Sequence, residues 1–344
     1  MAFGILEDKI LKQVPGTSLL SDLKIIRGQR VRVDEADGLK RGTGRDSHIV
    51  LVPQPSDNLN DPLNWPRWKK EACFWTLAFT ASLDGALSPM VGPGYALLSQ
   101  QFGITVDNVA SSFGTILLGL ACFMLFQNTF AVKFGHRIVY LCSVSLMFIS
   151  CIWCAASPNI ISIRASRIFQ GFGMSALQSL VASTIEQIFF VHERGFRSTI
   201  WSFSIMAGIT LGPLLYSYVI QNLSWQDGFW FVTIPLGLAT LMVFFFVPET
   251  TYERKYGPTN GSSAHSAKEE VKDESSSESE MGASDARVAP SYLSQLRVWH
   301  GTFSQENLFK IFLRPFPFLL SPVTWFMFLA HGMQTVWLSK MVLP

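Results

Sequence analysis

The sequence predicts an all-α membrane protein: six apolar helices, a long charged connection and a seventh apolar stretch. One observation behind this is composition. Of 344 residues, 49% are hydrophobic and 15% charged, whereas an average soluble domain is roughly 25% charged. A second is the unevenness of that charge. No Asp, Glu, Lys or Arg occurs from Asn108 to Val132, Ile138 to Ile163, Ser198 to Gln226 or Gly228 to Pro248. Each run meets the ~20 apolar residues that cross a bilayer as a helix. The third is where the basic residues lie. Lys69 and Lys70, Lys133 and Arg137, Arg194 and Arg197, and Arg254 and Lys255 occupy alternate connections, and the connections 98–108, 157–160 and 221–228 carry none. Basic residues in short connections stay on the cytosolic side, so the N-terminus is expected in the cytosol and six spans return the chain there. The net charge of +2 then says nothing about nucleic acid, and no such partner is expected.

Residues 1–70 read as a polar, mixed-charge cytosolic tail with no apolar stretch near its start, so no cleavable signal peptide is expected. Its four prolines between Val52 and Pro66 disfavour continuous helix. Trp65 and Trp68 with Arg67, Lys69 and Lys70 read as an interfacial anchor. The six-span block is placed at 71–248. Span 1, about Ala72 to Leu98, is interrupted by Asp84-Gly85, Pro89 and Gly92-Pro93-Gly94, the pattern of a bent helix lining a cavity. Span 2 covers about Val109 to Val132, span 3 about Ile138 to Ser157, and span 4 runs from after Pro158 to near Glu186. Span 5 covers about Ser198 to Gln221 and span 6 about Gly228 to Val247. Residues 249–312 read as a disordered cytosolic connection, rich in Ser, Glu and Gly, with Ser275 and Ser277 as candidate phosphorylation sites. Leu293 to Leu313 is a candidate amphipathic surface helix. The last segment, 313–344, carries the seventh apolar stretch from about Phe318 to Leu338. Asn222-Leu-Ser224 is a glycosylation sequon.

Two ionisable residues inside the apolar block stand out. Arg167, in span 4, is tolerated at bilayer depth only facing water or an anion; the plainer reading places it near a helix end, snorkelling to the headgroups with Arg164. Asp84, midway along span 1, is the only carboxylate well inside the first six spans. It reads as the counter-charge of Arg167, either a static structural pair or part of a working site, or as a proton-binding group. All five cysteines lie in apolar runs and read as small hydrophobes. Cys151-x-x-Cys154 lacks neighbouring His or basic residues that favour a thiolate. No metal, cofactor or enzymatic centre is expected, since no nucleophile, base or metal cluster assembles.

Several motifs resemble the major facilitator superfamily. In that superfamily the loop after span 2 resembles G-x-L-A-D-R-x-G-R-R; here Gly135 and Arg137 match and Lys133 keeps the charge, while Asn128 and Val132 replace a glycine and the aspartate. Arg167, Gln170, Gly171 and Gly173 match the R-x-x-Q-G-x-G of proton-coupled members. Gly208, Gly212 and Pro213 match the start of the antiporter motif G-x-x-x-G-P-x-x-G-G, with Tyr216 and Ser217 where the last glycines belong. The flanks Val-Pro-Gln-Pro-Ser-Asp, Asp-Pro-Leu-Asn-Trp-Pro and Phe-Val-Pro-Glu-Thr-Thr-Tyr-Glu-Arg resemble fungal members of the twelve-span drug:proton antiporter family, nearest the branch of the yeast histidinol and polyamine transporter.

The resemblance implies the six-helix N-terminal half of a facilitator fold plus a seventh span, truncated soon after it. It implies proton-coupled transport of a small organic, cationic solute by alternating access, in the plasma membrane. Asp84, Arg167 and Gln170 would bind proton or substrate, and Lys133, Gly135 and Arg137 would form the gating loop. Gly171, Gly173, Gly208, Gly212 and Pro213 would pack the helices. The partners are then the lipid bilayer, the solute and protons. Rival readings are an inactive truncated product or membrane interaction protein, and a seven-span receptor.

Overall fold

The computed structural model describes residues 23–26, 29–32, 40, 42, 51–56, 58, 60–252, 296–299, 301–303 and 306–342. The connection from 253 to 295, with Ser275 and Ser277, lies outside the described residues. The chain divides into Met1–Gln54 and Pro55–Pro344. In the first unit, β1 (Leu23–Ile26) pairs antiparallel with β2 (Gln29–Arg32), Leu23 opposite Arg32 and Ile26 opposite Gln29. The hairpin is an addition to the expected polar tail.

In the second unit six long helices form one bundle. They are α1 (Arg67–Leu87), α3 (Val106–Phe134), α4 (His136–Ala156), α5 (Ile160–Ile188), α6 (Val191–Asn222) and α7 (Trp225–Phe246), with the short α2 (Tyr95–Phe102) between the first two. Further on come α8 (Leu308–Leu313) and α9 (Pro322–Val342). Each expected span is recovered within a few residues except the first and the start of the fifth, where α6 begins seven residues early, at Val191, and takes the basic segment 192–197 into the helix. Span 1 is not one bent helix to Leu98: α1 stops at Leu87, a 3-10 turn forms over Gly92–Gly94, and α2 starts afresh at Tyr95. Pro89 and Pro93 lack the amide protons that a continuous helix needs.

The helices stop and start for local reasons. α3 ends at Gly135, whose φ of 95° suits a residue without Cβ, and α4 begins at the next residue. Ser224 and Asp227 form a reciprocal capping box at the start of α7. Ahead of α1, the buried Asp61 accepts from the Leu63 amide at 3.0 Å and from Ser56, fixing the turn over Pro62–Asn64. The expected interfacial anchor is divided there. Trp68 is exposed, and the Lys69 ammonium lies 3.9 Å from the centre of the Trp65 ring. Lys70 turns inward and donates to the Leu63 carbonyl at 3.0 Å.

α5 packs between α3 and α4, and α1 packs against α6, α7 and α5. Glycines set the closeness. A methyl at Gly119 of α3 would meet the Ile168 carbonyl, and one at Gly171 of α5 the Ile116 carbonyl. A methyl at Gly173 would meet backbone of α4 at Ser143 and Met147. Small residues of this kind let membrane helices approach closely.

Four helices, α3, α4, α6 and α7, are long and apolar enough by length and composition to cross a membrane. α1 and α5 fall short of that measure, for α1 carries Asp84 and a basic first turn, and α5 carries Arg164, Arg167 and Glu186. Their many buried residues face other helices, so their surfaces need not be apolar all round. In α9, Val323, Trp325, Phe326, Phe328 and Leu329 are all exposed. The expected amphipathic helix over Leu293 to Leu313 is confined, among the described residues, to the six residues of α8; 296–299 and 301–303 are not helical.

Candidate functional site

Arg167 is wholly buried. Its Nη1 donates to the Leu87 carbonyl at 2.9 Å and to Gln170 Oε1 at 2.9 Å. The guanidinium carbon lies 4.9 Å from the centre of the Phe113 ring and 4.8 Å from that of Phe229. Leu87 is the last residue of α1, so its carbonyl is one of the acceptors that a helix end leaves unpaired. A cation there also meets the negative end of the helix dipole. Arg167 therefore caps α1 from α5, between two aromatic faces contributed by α3 and α7. It does not snorkel to the surface. Its Nε and Nη2 and the Gln170 Nε2 are buried with no hydrogen-bond partner among the described residues.

Asp84, also wholly buried, is not the counter-charge of Arg167. Its Oδ2 accepts from Gln178 Nε2 at 3.2 Å, and its Oδ1 has no partner among the described residues. The reason is geometric. Gln178 lies eleven residues beyond Arg167 on α5, about 16 Å along the axis at 1.5 Å per residue. Side chains tilt toward the N-terminus of their own helix, so Asp84 points away from the end of α1 that Arg167 caps. A charge inside an apolar run identified each residue and could not supply this offset.

Asp84 sits where α1 crosses α6. A methyl on the adjacent Gly85 would strike the Ile205 carbonyl, one on Gly208 the Ser82 carbonyl, and one on Gly212 the backbone of Ala86. Pro213 follows inside α6. The motif glycines of α6 thus meet α1 on either side of Asp84, while Gly171 and Gly173 hold α5 against α3 and α4.

Lys133, Gly135 and Arg137 come together at the opposite end of α1 from Leu87. The Arg137 guanidinium donates to the carbonyls of Phe244, at 2.8 Å, and Val247, at the end of α7, and to Leu296 at 3.1 Å. In return Glu249 accepts from the His136 and Arg137 amides at 3.0 and 3.1 Å. A methyl on Gly135 would meet both Glu249 and Phe303. The segment from 296 is attached to the same place: the Phe303 amide donates to the Lys133 carbonyl at 2.9 Å, Lys133 Nζ to the Glu306 carbonyl at 3.3 Å, and the Trp299 ring lies 5.2 Å from that of Phe134. At this end Arg197 of α6 also forms a two-pronged ion pair with Glu71 of α1.

Sequence reading missed Glu249, Gln178, Phe113, Phe229 and the Glu71 to Arg197 pair. Glu249 did lie in a quoted flank, so a signal existed for it. Phe113 and Phe229 sit among 28 phenylalanines, and nothing distinguishes them before folding. Cys151 and Cys154 are buried free thiols. The sequon is built into the turn between α6 and α7, with Asn222 donating to the Tyr218 carbonyl at 2.8 Å and Ser224 capping α7.

Comparison with known proteins identifies the family. Residues 74–342 match the Major Facilitator Superfamily. Protein HOL1 of Saccharomyces cerevisiae is 31% identical over 210 residues, 60% of this chain and 36% of that protein. An uncharacterized MFS-type transporter of Schizosaccharomyces pombe, C1271.10c, is 27% identical over 247 residues, 72% of this chain and 41% of its own length. MFS antiporter QDR3 of Candida albicans is 31% identical over 213 residues, 62% of this chain and 30% of its own length. A solved structure of the proton:xylose symporter XylE covers 54% of this chain and 46% of its own, with a TM-score of 0.49 and 16% identity. The chain thus spans 30% to 41% of the length of these fungal relatives. With its apolar helices and a match over most of its length, the chain is a multi-pass membrane protein and belongs to the Major Facilitator Superfamily.

Proposed function

We propose that this chain supplies the first half of a transporter that moves a small organic, cationic solute by alternating access, coupled to protons. In that mechanism two six-helix bodies rock about a midplane site, and the six helices here provide one body. Asp84 is the observation that carries the reading. A buried carboxylate with one oxygen on Gln178 and the other without a partner among the described residues is costly at bilayer depth. A proton, or a cationic solute, supplies what that oxygen lacks.

Arg167 and Gln170 set the field at the end of the same helix, through the Leu87 carbonyl. Gly208, Gly212 and Pro213 permit α6 to slide on α1, and Lys133, Gly135 and Arg137 gate the far end. The likeness to an MFS antiporter supports the coupling. The basic connections support a cytosolic N-terminus, with the plasma membrane as the setting. Protease protection of an N-terminal tag in sealed cells tests the orientation: digestion from outside refutes it.

The deciding test is solute flux driven by a proton gradient in cells making the whole gene product, with and without Asp84→Asn. Loss of proton dependence is expected, with the protein still present in the membrane. Flux that keeps its proton dependence in the variant removes Asp84 from the mechanism. A second reading, favoured by the exposed apolar residues of α9, is a product that transports nothing alone and only associates with other membrane proteins. Sequencing the transcript beyond Pro344 for a second six-helix body separates the two.

A further inference from the structure

Between α3 and α4, near the Lys133 end, lies a cavity of about 340 Å³, at the lower end of the range for small-molecule pockets. Phe130 and Phe134 wall it on α3, Cys142 and Leu146 on α4, and Trp299 closes one side. Trp299 belongs to the segment after the charged connection and is held there against Phe134, while Phe312 stacks on Phe126 at 5.1 Å further along α3. Two polar side chains line the floor, and both are engaged. Gln127 donates to Ser143 and accepts from Ser175 of α5, so the lining offers an occupant hydrocarbon rather than hydrogen bonds.

We propose that this groove is a binding site for one acyl chain of a membrane phospholipid, from the leaflet at the α3–α4 connection. The opening is continuous with exposed apolar surface on both helices. Cys142 is exposed and lies in line with the exposed Ile149 and Trp153 along α4, as Phe130 does with Phe126 and Cys122 along α3. In a bilayer the opening meets acyl chains first, and an engaged polar floor leaves a charged solute or a peptide nothing to bind. Lys133, next to Phe134 in the chain, brings a cation to the end where the headgroup phosphate would lie. Trp299 makes the site depend on the segment that follows the charged connection, because without that indole one wall is missing.

The test uses the whole protein in phosphatidylcholine vesicles that contain a phosphatidylcholine with a photoreactive diazirine in its acyl chain. After irradiation, labelled peptides are mapped by mass spectrometry. Labelling of residues 123–146 is expected to exceed that of the exposed faces of α6 and α7 several-fold. It should fall to their level in Cys142→Phe, which fills the groove, and labelling on α7 should stay unchanged. Phe130→Trp, which adds bulk at the opening, serves if the first variant does not fold. Labelling of α3 and α4 no higher than of α6 and α7, or unaltered by both substitutions, overturns the site. So does crosslinking through Cys142 to a second copy, which would mean that protein fills the groove. The outcome is independent of whether Asp84 carries protons, since transport is not the readout.

Discussion

Arg137 and Glu249 hold each other's helices by the ends. The guanidinium of Arg137 closes the last carbonyls of α7, at Phe244 and Val247, while the carboxylate of Glu249, two residues past Val247, closes the first amides of α4 at His136 and Arg137. Helix ends leave such groups unpaired. The positive N-terminus of α4 favours the carboxylate, and the negative C-terminus of α7 favours the guanidinium. The arrangement ties the α3–α4 connection to the end of the sixth long helix and, through the Leu296 carbonyl, to the segment beyond it.

Breaking this clasp from either side is expected to be costly. Arg137→Ala leaves buried carbonyls open and should destabilise by about 3 kcal/mol, in the range for removing one partner of a buried charged contact. Glu249→Gln keeps the shape and one acceptor and should cost less, about 1 to 2 kcal/mol. Thermal unfolding of the detergent-solubilised protein checks both. An Arg137→Ala protein as stable as the parent would show that the clasp contributes nothing.

Arg167 should resist replacement by lysine. The guanidinium reaches the Leu87 carbonyl and Gln170 while lying between two phenyl faces, and a lysine ammonium has neither the planar fork nor the same stacking. Arg167→Lys is expected to lose about 1 to 2 kcal/mol. The same unfolding measurement decides it. Equal stability of the lysine variant would mean that charge alone matters there.

Two glycines of α3, five residues apart, make a controlled comparison. Gly119 lies against the Ile168 carbonyl of α5, whereas nothing lies within 4 Å of a methyl placed on Gly114. Gly119→Ala should destabilise by about 1 to 3 kcal/mol through overpacking. Gly114→Ala should be neutral or slightly stabilising, since alanine is the better helix former by up to about 1 kcal/mol. Unfolding both variants side by side gives the answer, and a neutral Gly119→Ala would contradict the close crossing of α3 and α5.

The Glu71 and Arg197 pair suits a double-mutant cycle. Arg197 is backed by the rings of Phe74 and Phe189, at 5.3 and 5.0 Å, and its side chain is only 17% exposed. The coupling energy between Glu71→Gln and Arg197→Gln should reach about 1 kcal/mol, the upper end for partly exposed pairs. Additive losses would reduce it to a surface contact. If alternating access opens this end, the single variants should also change the rate of solute release measured in sealed vesicles.

The sequence by itself determined that six apolar spans build the bundle and where most of them begin and end. A charge-free run such as Asn108 to Val132 has one stable place, the hydrocarbon, and one way to satisfy its backbone there, so α3 follows from composition alone. Glycine and proline marked the first span as irregular without showing that α1 ends at Leu87, a charge inside an apolar run brought Asp84 and Arg167 to notice, and motif spacing brought Gly208. Only the tertiary structure decided what these residues touch. The partner of Arg167 is a backbone carbonyl, a group every residue carries and no sequence marks, and the distance separating it from Asp84 depends on how far α5 slides along α1. That offset is set by packing across helices, between residues remote in the chain.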